Sequence, residues 1–359
     1  MIHKNKLLPP GKENPRNSEG SFINLKDGKI AFLYSRFYGG IGGDLDFANL
    51  SARYSSDGGL TWTKEDDVII KNDGQCNVMS GDFVRLSTGD ILLGFLWKNS
   101  YADCQFVVIK STDEMNTWTP RVRVTTELCY HVVNNDRLVQ LSSGRIIAPA
   151  ALHYSLDGKS FNKRSKVATF YSDDIGSTWK KSTVVLESPV ADRVTVDAFE
   201  EKRVHVTGLQ EPGLVELKDG RLLLWARTDL GTQYYSYSSD CGDTWSPPEP
   251  STLISPCAPA SIKRIPATGD LLAVYNDHSG RFPFGKWKRT PLVTAISKDE
   301  GKTWVNHKVL EDDPDGWYCY AAINFYQDNV LLAYCAGDKV VGRLNQTQIT
   351  VFDLDYLYK

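Results

Sequence analysis

Residues 210–245 read QEPGLVELKDGRLLLWARTDLGTQYYSYSSDCGDTW, and this stretch decides the fold. It divides into three short strands. Leu214-Val215-Glu216-Leu217 is the first, and Lys218-Asp219-Gly220 is a tight turn. Arg221 to Ala226 is the second, apolar through Leu222-Leu223-Leu224-Trp225. Gln233 to Ser238 is the third, aromatic and alternating. A polar turn, Ser238-Ser239-Asp240-Cys241-Gly242-Asp243-Thr244-Trp245, follows. Glu211 stands just before the first strand and Arg227 just after the second. In an up-down meander those two ends share one edge. A carboxylate and a guanidinium therefore meet at one rim, opposite the polar turn.

The polar turn recurs. Ser55-Ser56-Asp57-Gly58-Gly59-Leu60-Thr61-Trp62 is a full copy, as are Ser172 to Trp179 and Ser297 to Trp304. Ser111 to Trp118 is degraded, with Met115 at the glycine position. The closing tryptophans, 62, 118, 179, 245 and 304, fall about 60 residues apart, room for one four-stranded unit in each interval. The turn is structural. Asp folds back on backbone N–H groups, Gly takes a positive φ and Trp packs beneath. The pattern predicts an all-β, six-bladed β-propeller of four-stranded antiparallel blades, with the five tryptophans largely buried. An N-terminal strand would complete the last blade.

The repeat overrides the length prior for two or three domains and makes residues 1–359 one domain, with 1–15 an extended N-terminal arm. A net charge of −3 without a long basic run argues against nucleic acid. The seven scattered cysteines lack metal-ligand spacing and read as free thiols in a reducing compartment. The N-terminus has no apolar core of a signal peptide, and no apolar run reaches membrane-spanning length. The expectation is a cytoplasmic protein, or a secreted or periplasmic one if a signal has been removed. It has no membrane partner, no cofactor and no metal. Oligomeric state is not legible.

The rim argument extends along the chain. Arg16 precedes the first strand, Arg36 follows the second, and Asp44 or Asp46 lies in the glycine-rich loop to the third. Asn77, Trp97 and Lys98 mark the rim of the next unit; His131, Asn134, Asn135, Asp136 and His153 mark the one after. Asn135 is the candidate there for binding sugar hydroxyls, against an ordinary loop role. Residues 187–209 read as an outer strand plus a loop. Asn276-Asp277-His278 ends a second strand, and Asp277 is a further candidate binding residue. Arg289 begins a third strand on the same rim, with Arg281, Lys286 and Lys288 as competitors. His278 reads as a hydrogen-bonded loop histidine. Tyr320 begins a first strand on that rim, with Tyr318 as its competitor.

On these residues the chain resembles the sialidase superfamily of the Asp-box type over nearly its whole length. The resemblance matches Arg16, Arg227 and Arg289 to the family's carboxylate-binding arginines, and Arg36 to the arginine that closes the following strand. It matches Tyr320 to the nucleophile, Glu211 to its base and Asp44 to the acid. Arg16 stands in Arg16-Asn17-Ser18-Glu19-Gly20, where the family has Arg-Ile-Pro. Sialic acid carries a carboxylate on its anomeric carbon, which arginine forks neutralise. A phenol avoids the repulsion that an anionic nucleophile would meet there, and sialidases are the glycosidases that use tyrosine. The resemblance implies a retaining exo-α-sialidase, or a relative acting on another 2-keto sugar acid, with a sialoglycan or other acidic sugar as partner. The alternative is a propeller that keeps the fold and binds acidic glycans without turnover.

Overall fold

The computed structural model describes residues 2–359. Apart from the first strand and one parallel bridge, the strands fall in sequence order into antiparallel sheets, and the only helix among the described residues is a short 3-10 turn, Leu354–Leu357. One sheet runs Asn17–Asn24, Ile30–Phe37, Ala48–Ser55, Asp67–Ile70. Two others are Gln210–Glu216 to Glu249–Ile254 and Ser261–Arg264 to Val305–Glu311, each of four strands. Between the first and these lies a nine-stranded sheet. It consists of two meanders, Asn77–Arg85 to Val122–Arg123 and Tyr130–Val132 to Lys180–Lys181, joined through the Tyr130↔Cys104 pair. In the last sheet, Trp317–Tyr326, Asn329–Gly337 and Thr347–Asp353 are completed by Ile2–Leu8. Residues 2–8 of the N-terminal arm are thus a strand.

Each second strand is apolar on both faces because neighbouring sheets pack on both sides. Leu222–Arg227 and Ile146–His153 are buried almost throughout. The first strands sit innermost and are stitched across the centre. Asn135 donates to the carbonyls of Gly20 (2.7 Å) and Tyr320 (3.1 Å), Arg137 to that of Ala260 (2.7 Å), and Ser261 to that of Ala321 (2.5 Å). Close approach dictates small residues here: a Cβ at Gly20 would lie 2.3 Å from the Phe32 ring.

All five polar turns share one hydrogen-bond scheme. In Ser172–Trp179, Ser172 Oγ donates to Asp174, while Thr178 donates to it from both N–H and hydroxyl. The Thr178 bonds hold Asp174 at about 2, below the ordinary carboxylate value, so the motif is ionised and locked. Met115 accepts the positive φ (74°) that glycine takes in the other copies. Trp245 and Trp304 are buried as expected. Trp62, Trp118 and Trp179 are only half-buried.

The segment 187–209 departs from expectation. Its sheet takes Lys180–Lys181 as outer strand. Thr195–Ala198 and Glu201–Val204 form a separate hairpin. Buried His205 pins it: one ring nitrogen meets Ser188 (3.0 Å) and the other the carboxylate of Asp229. Phe199 at its tip packs on His278, Phe284 and Trp287.

Candidate active site

Backbone strain places the central side chains. The innermost strands carry bulges between Ser18 and Ser21, Met79 and Asp82, Gln210 and Gly213, and Cys319 and Ala322. Each bulge holds one residue at positive φ: Glu19 (43°), Ser80 (53°), Glu211 (47°) and Tyr320 (58°). Such a conformation costs on the order of 1–3 kcal/mol in a non-glycine residue and clusters at functional sites. Here it turns four side chains out of the sheet alternation and into one cavity of about 170 Å³. The larger cavity, about 580 Å³, is lined by other stretches of the innermost strands. Three ion pairs, Lys263–Asp136, Arg85–Glu114 and Arg264–Glu300, neutralise most of its charged lining.

Tyr320 Oη donates to Glu211 Oε1 at 3.1 Å. The other carboxylate oxygen of Glu211 lies 2.6 Å from Arg227 Nη1. Arg227 also donates through Nε and Nη2 to Gln210 Oε1, at 3.1 and 3.0 Å, which fixes its plane. Arg289 sits 5.5 Å from the Tyr320 ring centre and 5.3 Å from that of Trp317, and its buried Nη1 has no hydrogen-bond partner. Burial first, then the Glu211 carboxylate, pushes the Tyr320 phenol well above its ordinary value; Arg227 and Arg289 pull the other way.

Opposite this group, Arg16 donates to Ser18 (2.8 Å), Glu19 (2.7 Å) and Asp44 (2.7 Å), and lies over the Phe37 ring at 4.5 Å. Lys98, almost wholly buried, donates to the Asp44 carbonyl at 3.0 Å. His153 also lines the cavity and is neutral: burial lowers it to about 4.

Tyr320, Glu211, Asp44, Arg16, Arg227 and Arg289 therefore converge. The open choices resolve on geometry. Asp46 caps its own loop by accepting from Ile41 and Gly43 N–H, so Asp44 is the residue facing Arg16. Tyr318 packs into the apolar core against Tyr334.

Three expected residues are not brought into the site. Arg36 ends its strand at the rim, but alternation turns it with Tyr34 to the opposite face, where both bond Asp66 (2.9 Å from Arg36). Asp277 is fully buried, accepts from Ser279 N–H and Arg281, and closes the turn between them; Arg281 is thereby turned away. Asn135 lies beneath the cavity, holding the Tyr320 carbonyl, where a sugar hydroxyl does not reach. Conversely, Glu19, Ser80 and Gln210 line the cavity and were not among the expected site residues. For Glu19 and Ser80 the signal is a polar residue just before a glycine, Glu19-Gly20 and Ser80-Gly81, parallel to Glu211-Pro212-Gly213 and Tyr320-Ala321.

Comparisons with known proteins follow the same lines. A curated sialidase of Bacteroides fragilis (strain YCH46) is 24% identical over 227 residues, 59% of this chain and 36% of that protein. The chain thus spans about a third of the length of that relative. A Dyadobacter fermentans DSM 18053 protein of unknown function superposes with a TM-score of 0.72 at 18% identity, covering 98% of this chain and 99% of its own. Trypanosoma rangeli sialidase, solved with 2,3-difluorosialic acid as a covalent intermediate, superposes with a TM-score of 0.69 at 16% identity, covering 99% and 60%. The BNR repeat-like domain family matches residues 83–332. With most of its length so matched, this chain belongs to the BNR repeat-like family, within the sialidase-like β-propeller superfamily.

Proposed function

We propose that the chain is a single, closed six-bladed propeller over residues 1–359. It acts as a retaining exo-α-sialidase-like glycoside hydrolase on sialic acid or a related 2-keto sugar acid. The observation that carries this reading is the Tyr320–Glu211 hydrogen bond of 3.1 Å with Arg227 and Arg289 beside it. A buried phenol that resists ionisation needs a base within reach, and Glu211 is that base. Arg16, Lys98 and Arg227 line the cavity against three carboxylates, Glu19, Asp44 and Glu211, and Arg289 behind the Tyr320 ring adds a fourth cation. The one positive charge in excess suits a monoanionic sugar acid.

In the first step Tyr320 Oη bonds to the anomeric carbon and passes its proton to Glu211. The bond to the leaving oxygen breaks, and Asp44 protonates that oxygen. In the second, water attacks the anomeric carbon, Asp44 takes its proton, and Tyr320 leaves with a proton from Glu211. Arginines hold the sugar carboxylate in both steps.

A second reading, a propeller that binds acidic glycans without turnover, draws on Arg16, which in the free site is already paired with Glu19 and Asp44. An aryl α-ketoside panel, including deaminated and shorter keto-acid sugars, separates the two. Hydrolysis that Arg227→Ala abolishes supports the enzyme. Binding of the free sugar acids without turnover of any glycoside supports the binder. On the enzyme reading, Asp44→Ala impairs poor leaving groups far more than activated aryl glycosides.

A further inference from the structure

Four of the five N–H donors of Arg16 are engaged. Nε bonds Ser18, Nη2 bonds Glu19, and Nη1 bonds Asp44 at 2.7 Å and the Gly42 carbonyl at 3.3 Å. A sugar carboxylate can take a two-pronged grip on this arginine only if a protein group leaves, because both Nη1 hydrogens are in use. The two carboxylates are unequal candidates. Glu19 is 4% exposed, and Ser18 donates to its second oxygen. The Asp44 side chain is 57% exposed, and Arg16 is the one hydrogen-bond partner of its carboxylate among the described residues.

The Asp44 backbone is held still. Asn77 and Lys98 donate to its carbonyl at 2.9 and 3.0 Å. Only the side chain is free to turn about a fixed Cα. The aspartate also has a chemical conflict. A general acid must carry a proton when the leaving group departs, yet Asp44 is held below the ordinary carboxylate range. Burial pushes it up, and the Coulombic pull of Arg16, then of Lys98, outweighs that. The charged and titratable groups facing it are Arg16, Lys98, Arg227 and Tyr130.

We propose that Asp44 is an exchangeable ligand of Arg16. It occupies the arginine in the free site and gives way to the carboxylate of the incoming sugar acid. Parted from that counter-ion and set beside the sugar carboxylate, whose like charge favours its neutral form, it takes from solvent the proton that it later delivers to the leaving oxygen. Glu19 is the fixed partner, a positioning residue that keeps the guanidinium in place during the exchange. The proposal rests on the acidic-sugar reading above and adds what binding does to the acid: the substrate that needs Asp44 protonated is the one that removes its counter-ion. Binding is correspondingly weaker than a vacant arginine fork would give, because the sugar acid competes with a carboxylate already in place.

The test is calorimetric titration of the intact protein with an unsaturated (2,3-dehydro) sialic acid. It is run near pH 6 in two buffers of different ionisation enthalpy, so that the heat reports protons taken up. The wild type takes up a proton fraction on binding. Asp44→Asn, which cannot ion-pair with Arg16, takes up none and binds on the order of tenfold more tightly although its hydrolysis is impaired. Glu19→Gln does not tighten binding. Binding by the wild type without proton uptake overturns the exchange alone. So does an Asp44→Asn variant that binds equally or more weakly. A ligand that binds neither form overturns the exchange together with the acidic-sugar reading.

Discussion

Tyr320→Phe removes one oxygen and leaves the ring. The hydroxyl makes a single hydrogen bond, 3.1 Å to Glu211, and Glu211 keeps its 2.6 Å contact with Arg227 after the change. No buried charge is orphaned, so the loss is that of one net hydrogen bond, about 0.5–1.5 kcal/mol. In a chain of this size that shifts the melting temperature by ~3 °C or less. Activity behaves differently, because the hydroxyl is the proposed nucleophile. Turnover of an aryl α-ketoside falls on the order of 10³-fold or more. A 3-fluoro keto-acid sugar traps an adduct on Tyr320 in the wild type, located by peptide mass spectrometry, and none in the variant. Full activity in Tyr320→Phe refutes the assignment, as does an adduct on Tyr318. A fall of ~10 °C in melting temperature refutes the claim that the hydroxyl is dispensable to the fold.

Arg36→Ala leaves KM for the sugar acid unchanged, since Arg36 faces Asp66, while Arg227→Ala raises it by orders of magnitude; steady-state kinetics on both separates them. Arg289→Ala likewise weakens binding, and Arg281→Ala, its side chain tied to Asp277, does not. Gly20→Ala destabilises by about 1–3 kcal/mol or more in denaturant titration, because the new methyl meets the Phe32 ring at 2.3 Å. His153 gives a pH signature. Its folded-state value is lowered from 6.5 to about 4, so the unfolded chain binds the proton first. Stability is complete above the unfolded value and falls as pH drops from 6.5 towards 4, by at most about 3 kcal/mol. His153→Asn flattens that slope, and an unchanged slope refutes the assignment.

Much of this architecture is legible along the chain because its determinants are local. The Ser-x-Asp-x-Gly-x-Thr-Trp turn satisfies its own bonds within eight residues, so its meaning travels with its sequence, and even Met115 shows where a glycine belongs. Strand ends follow from such turns, and with them the rim that carries Arg16, Glu211, Arg227, Arg289 and Tyr320. Which way a side chain leaves that rim is not local. Arg36 and Asp277 stand at strand ends as Arg227 does, yet turn to Asp66 and Arg281, partners that only the folded sheets supply. The bulges are decided by packing at the crowded centre, where Gly20 abuts Phe32 and Gly213 abuts Trp225. They turn Glu19 and Ser80 inward beside Glu211 and Tyr320. Sequence alone thus determined the repeat, the sheets and the rim, through bonds that close within a few residues. Tertiary structure decided which rim residues meet, and that Arg16 meets them already paired with two carboxylates, because both depend on contacts between strands far apart in the chain.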